Sequence, residues 1–128
     1  MSISFAGGDF DAVTVDTNST SLTGEIVLGS LATDIVFQIK NTGAAALTAL
    51  VLEVKATAGS EFVPILSSTA WATLSSALVA VGGTLHTLGA GVAGAAHLRL
   101  GPWYSVRLTA TCGTSTSVVV RSKVRRQS

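Results

Sequence analysis

The chain reads as an all-β protein, an antiparallel β-sandwich of about seven or eight short strands. Three observations carry this reading. Apolar residues recur at every second position in several segments, which is the period of a strand buried on one face. Val, Ile and Thr are concentrated in those segments, where branched side chains pack well on a pleated surface. Gly and Asn punctuate the chain between them, as turns require.

The first clear strand is Thr33–Lys40. Ile35, Phe37 and Ile39 share one face, and Asp34, Gln38 and Lys40 share the other, with Val36 the exception. Asn41-Thr42-Gly43 follows as a turn in which Gly43 is expected to take a positive φ. Leu47–Val54 resumes a strand, with Leu50, Leu52 and Val54 opposite Val51, Glu53 and Lys55. Glu61–Leu66 reads as a further short strand. Pro64 lacks an N–H for the ladder and so belongs at a sheet edge or a bulge.

Ser68–Val81 fits two descriptions. Trp71, Leu74, Leu78 and Val81 form a helical stripe, while the Ser, Thr and Val content suits irregular strand and loop. Gly82-Gly83 ends it, and Thr84–Leu88 is expected to be a short strand. The glycines of Gly89–Gly94 match neither GxGxxG nor a phosphate loop with a following Lys-Ser/Thr. His97–Leu100 leads through Gly101-Pro102 into Trp103–Cys112, where Tyr104, Val106, Leu108, Ala110 and Cys112 form one face. Gly113-Thr114 then turns the chain, and Thr116–Val124 is expected to pair back as a hairpin.

At 128 residues the chain is expected to form one domain, residues 1–128, with a modest core. Residues 1–11 and 125–128 are expected to serve as assembly arms. Met1–Asp9 has neither a basic leader nor a long apolar segment, so no secretory signal is expected there. No apolar run approaches the ~20 residues of a membrane span, and no membrane partner is expected.

Charge is scarce and segregated. Only 12 % of residues are charged, against about 25 % in ordinary soluble domains. All seven acids lie within the first 61 positions, and the six cations beyond Glu61 face no acid in sequence. Low charge density suits a surface covered by partners, and segregated charge suits unlike neighbours. The interaction candidates are Asp9, Asp11, Arg99, Arg107, Arg121, Lys123, Arg125 and Arg126. Alternation puts Arg107, Arg121 and Lys123 opposite the core, and Arg99 away from Leu98 and Leu100. If those strands neighbour one another, they build one basic patch. Copies are expected to meet with the Asp-rich N-terminal part of one against the basic C-terminal strands of another, Gly8-Asp9-Phe10-Asp11 being the local candidate. Six cations with no aromatic stacking platform make nucleic acid the lesser partner.

No catalytic cluster, cofactor site or metal site is expected. His86 and His97 stand in no ligand motif, Ser67 and Ser68 lack a GxSxG setting, and Asp9, Asp11 and Asp16 miss the calcium-loop pattern. Cys112 is the only cysteine and reads as a small buried residue. An enzyme is therefore not the expected class.

Ile35–Gly43, followed by Ala44–Leu52, resembles the strand, Asn-Thr-Gly turn and strand that open many immunoglobulin-like sandwiches. The small-residue composition, the Trp103-Tyr104-Ser105-Val106-Arg107 strand and the C-terminal hairpin are similar to small virion proteins of tailed bacteriophages. That resemblance implies an immunoglobulin-like fold and a non-enzymatic, multi-copy structural protein of the virion, decorating or stabilising the capsid or joining head to tail. Its implied partners are the major capsid protein and copies of itself. The rival expectation is a carbohydrate- or cell-surface-binding module, which needs an exposed groove around Trp71, Trp103 or Tyr104.

Overall fold

The computed structural model describes residues 3–29, 32–68, 71, 85–99 and 101–127. Among these residues ten strands make two antiparallel sheets. Sheet I contains β1 (Ile3–Asp9), β2 (Val13–Val15), β5 (Ala32–Asn41), β8 (Ala93–Arg99) and β10 (Thr116–Gln127). Sheet II contains β3 (Thr20–Ser21), β4 (Ile26–Val27), β6 (Leu47–Lys55), β7 (Val63–Leu66) and β9 (Ser105–Cys112). β1 and β2 share one side of β10, and β3 and β4 share one side of β9. Each sheet is therefore four strand positions wide.

The order is β1/β2–β10–β5–β8 in one sheet and β3/β4–β9–β6–β7 in the other. First pairs with last, second with second-last, and so inward to the β6–β7 pair. This is a long hairpin rolled across two sheets, the arrangement of a jelly roll. The antiparallel sandwich and its eight strand positions agree with the sequence. The jelly-roll connectivity is not the Greek-key strand order of an immunoglobulin-like sandwich.

Alternation accounts for the core. Ile35, Phe37 and Ile39 of β5 are fully buried, as are Leu50 of β6 and Val106 and Leu108 of β9. Val118, Val120 and Val124 of β10 extend the apolar layer of sheet I beside β5. Burying each such side chain contributes about 1.5–3 kcal/mol. Cys112 is buried, with its Sγ 3.2 Å from the Ala46 carbonyl. Pro64 lies on β7, which pairs only with β6 through an irregular register, as an edge proline should.

Three local expectations are corrected. β9 and β10 do not form a hairpin: they lie in different sheets, and residues 113–115 carry the chain across the sandwich. Leu85–Thr87 is a 3-10 turn rather than a strand, and it delivers Leu85 and the following Leu88 to the core. Gly43 does not have a positive φ. It is needed for space, since a Cβ there would lie 2.1 Å from Thr116 Oγ1 and 2.6 Å from Ser117 N. Most of the ambiguous Ser68–Val81 segment lies outside the described residues. Trp71 is fully buried and donates its indole N–H to the Leu50 carbonyl at 2.7 Å.

Asn41 holds the corner where sheet I leaves for sheet II. It is completely buried, and its amide donates to the Ala45 and Leu88 carbonyls at 2.7 and 3.0 Å. Its Oδ1 accepts from Gly43 N–H and from the Thr116 hydroxyl. One side chain thereby ties β5, the 3-10 turn and the start of β10.

Candidate functional site

The outer face of sheet I carries most of the interaction candidates. The register aligns side chains in rows across the strands. Asp9, Arg121, Gln38 and Ala95 form one row, and Val119, Lys40 and Ala93 form the next. Long polar chains thus alternate with small ones. The result is a shallow depression of about 320 Å³ lined by Gln38, Lys40, Thr42, Ala93, Val119 and Arg121. Lys40 makes no ion pair among the described residues. Arg121 reaches Asp9 at 3.4 Å, but 67 % and 84 % of the two side chains remain exposed. Such a pair contributes little and exchanges readily.

A tighter cluster lies at the other end of the same face. Asp34 is only 6 % exposed, although alternation gave it a place among the polar residues. Its carboxylate accepts Arg125 Nε–H at 2.7 Å and the Thr33 hydroxyl at 2.6 Å, and lies 2.5 Å from His97 Nε2. Burial disfavours the charge, but the hydrogen bonds from Thr33, His97 and Arg125 outweigh it and hold the carboxyl below its ordinary value. Arg99 is the β8 residue paired with Asp34. This cluster joins β5, β8 and β10, three strands that are distant in sequence.

The outer face of sheet II behaves differently. Arg107 Nε–H meets Glu53 at 2.7 Å, and its guanidinium lies 4.0 Å from the Phe62 ring centre. Lys55 sits over the same ring at 4.8 Å and pairs with Glu25 at 3.0 Å. The Ser105 hydroxyl donates to Glu25 at 2.7 Å, and with Lys55 it holds that carboxyl below its ordinary value. Two cations, two carboxylates and one ring satisfy each other locally.

The single basic patch is therefore divided. Arg121, Lys123 and Arg125 are together on β10, and Arg99 lies beyond β5 on β8. Arg107 is on the opposite face of the sandwich. Arg126 turns inward and donates to the Leu28 carbonyl at 2.7 Å, linking β10 to the segment after β4. Asp9 and Asp11 are exposed at the β1–β2 corner, where Phe10 N–H donates to the Val120 carbonyl. Residues 3–9 and 121–127 pair with one another as β1 and β10, so residues 3–9 and 125–127 of the expected arms are strand residues of sheet I.

Sequence reasoning missed the Asp34–His97 contact, which spans 63 positions, and the role of Phe62. It also missed a cleft of about 510 Å³ lined by Val54, Ala56, Glu61, Val63, Ile65 and Trp103. The Val63-Pro64-Ile65 edge strand and Trp103 were its sequence signals. Trp103 is half-buried there, and Tyr104 is 36 % exposed. Among the described residues no three His, Cys, Asp or Glu side chains come together as a metal site, and no helix is long and apolar enough to cross a membrane.

No protein-family model and no curated protein matches the chain. Solved structures do. The fold is similar to that in the crystal structure of SPBc2 prophage-derived protein YomS, with a TM-score of 0.59 and 14 % identity, covering 98 % of this chain and 96 % of that one. It is similar to the crystal structure of PirA, with a TM-score of 0.54 and 16 % identity over 87 % and 89 % of the two chains. A chain in the structure of infectious bursal disease virus Gx strain gives a TM-score of 0.52 at 7 % identity. That match covers 97 % of this chain but 32 % of the longer one. At these identities the likeness is one of fold.

Proposed function

We propose that this chain is a non-enzymatic structural protein of a bacteriophage virion, present in many copies and decorating or stabilising the capsid through subunit contacts. The observation that carries the reading is the outer face of sheet I. Exposed cations there stand beside an exposed acidic corner, on a chain with only 12 % charged residues. Such a surface suits repeated contacts with unlike neighbours. The near full-length likeness to a prophage-derived protein, and the likeness to a chain of a virus structure, support the same class. The test is sedimentation of a lysate of the source, with the chain quantified in each fraction by mass spectrometry. Stoichiometric recovery with particles is expected. Recovery solely as free monomer would overturn the reading.

A carbohydrate- or cell-surface-binding module is the second reading, favoured by the Trp103 cleft with the Glu61 carboxylate at its rim. Full burial of Trp71 removes one of its three aromatic candidates. Glycan-array binding abolished by Trp103→Ala would put this reading first.

A further inference from the structure

We infer that the depression on sheet I receives the acidic β1–β2 corner of a second copy, giving a head-to-tail contact between subunits. This rests on the proposed multi-copy role and names the partner of that face. Three features carry it. The depression holds two cations whose charge the fold leaves open: Lys40 has no ion pair among the described residues, and Arg121 has only the loose pair with Asp9. The corner offers the complement, since Asp9 and Asp11 are exposed at the edge of the same sheet. The third feature is register. Asp9 shares a row with Arg121, Gln38 and Ala95, so a neighbour displaced sideways along that row brings its corner to the level of the depression.

Among the described residues the way in is open on the β8 side. Ala93 and Ala95 are small and stand between the depression and that edge, so no long side chain of β8 walls it off at this height. The donating corner is at the β1 edge, and the receiving depression spans β10, β5 and β8, with its Lys40 and Ala93 side towards the β8 edge. The contact is therefore heterologous, and repetition builds a ring or an array rather than a closed pair.

The experiment uses the purified full chain in sedimentation velocity at low and high salt. The variants are Lys40→Glu, Asp11→Lys and the double exchange, with circular dichroism confirming the fold of each. The wild type is expected to self-associate, and added salt to weaken it. Each single reversal should weaken association at least tenfold, and the double exchange should restore most of it. A monomeric wild type, single reversals that associate like wild type, or a double exchange no better than the singles would each overturn the contact. Particle recovery is scored separately. A monomeric wild type that still sediments with particles would overturn this contact and leave the virion reading standing. Salt-sensitive association without particle recovery would do the reverse.

Discussion

The two faces of the sandwich use the same few charges in opposite ways. On sheet II, Glu25, Lys55, Phe62, Arg107 and Glu53 close on one another, and each cation has both a carboxylate and a ring. On sheet I the cations divide. Arg125 is consumed by Asp34, whereas Lys40 and Arg121 face solvent. Neutralised charge steadies a sheet and offers little to a neighbour, while open charge does the reverse. Charge count alone does not separate a structural face from a contact face, but the distance from each cation to its carboxylate does.

The severest disruption should come from the corner both sheets share. Gly43→Ala forces a Cβ into the Thr116 and Ser117 backbone, and Asn41→Ala strips the amide from four partners. Each should cost about 3 kcal/mol or more, seen as a fall in the urea midpoint with both faces lost together. Were either variant to unfold one sheet alone, the faces would not be mechanically coupled.

Asp34→Ala should come next, at about 2 kcal/mol, because Arg125 and His97 would lose their shared acceptor while staying partly hydrated. Its acid dependence sharpens the contrast. The folded pKa of Asp34 lies below its ordinary 3.8, so its contribution is complete above that value and is lost as pH falls through the folded pKa. Asp34→Asn should therefore flatten the acid limb of the stability curve, measured by urea titration from neutral pH downward. Glu25→Gln, at an exposed carboxylate, should change that limb less.

Arg107→Ala should cost about 1 kcal/mol through the lost pair and ring contact, with self-association unchanged by sedimentation. Lys40→Ala should be the mirror image, with stability within about 0.5 kcal/mol of wild type and association weakened. If Arg107→Ala weakened association and Lys40→Ala did not, the two faces would have been assigned the wrong way round.

Much of the fold was legible because strand alternation is local. The buried rows of β5, β6, β9 and β10, the edge position of Pro64 and the burial of Cys112 all follow from residues near in sequence. The site was less legible. Arg99, Arg107, Arg121 and Lys123 have the outward direction that alternation assigned, yet Arg107 belongs to the other face because β9 and β10 are in different sheets. The turn at residues 113–115 looks the same whether it closes a hairpin or crosses a sandwich. Asp34 was placed on a polar face, and only the arrival of β8 and β10 on either side of β5 buries it.

By itself the sequence determined the class of the molecule: an antiparallel sandwich, its apolar rows, and a chain divided into acidic and basic parts. These depend on side-chain period and composition, which neighbouring residues specify. Tertiary structure alone decided which strands became neighbours, and with that the jelly-roll order, the Asn41 corner, the closed charges of sheet II and the open ones of sheet I. Pairing between distant strands is a property of the whole buried core, because a strand with one apolar face can pack in either sheet until the other strands have taken their places.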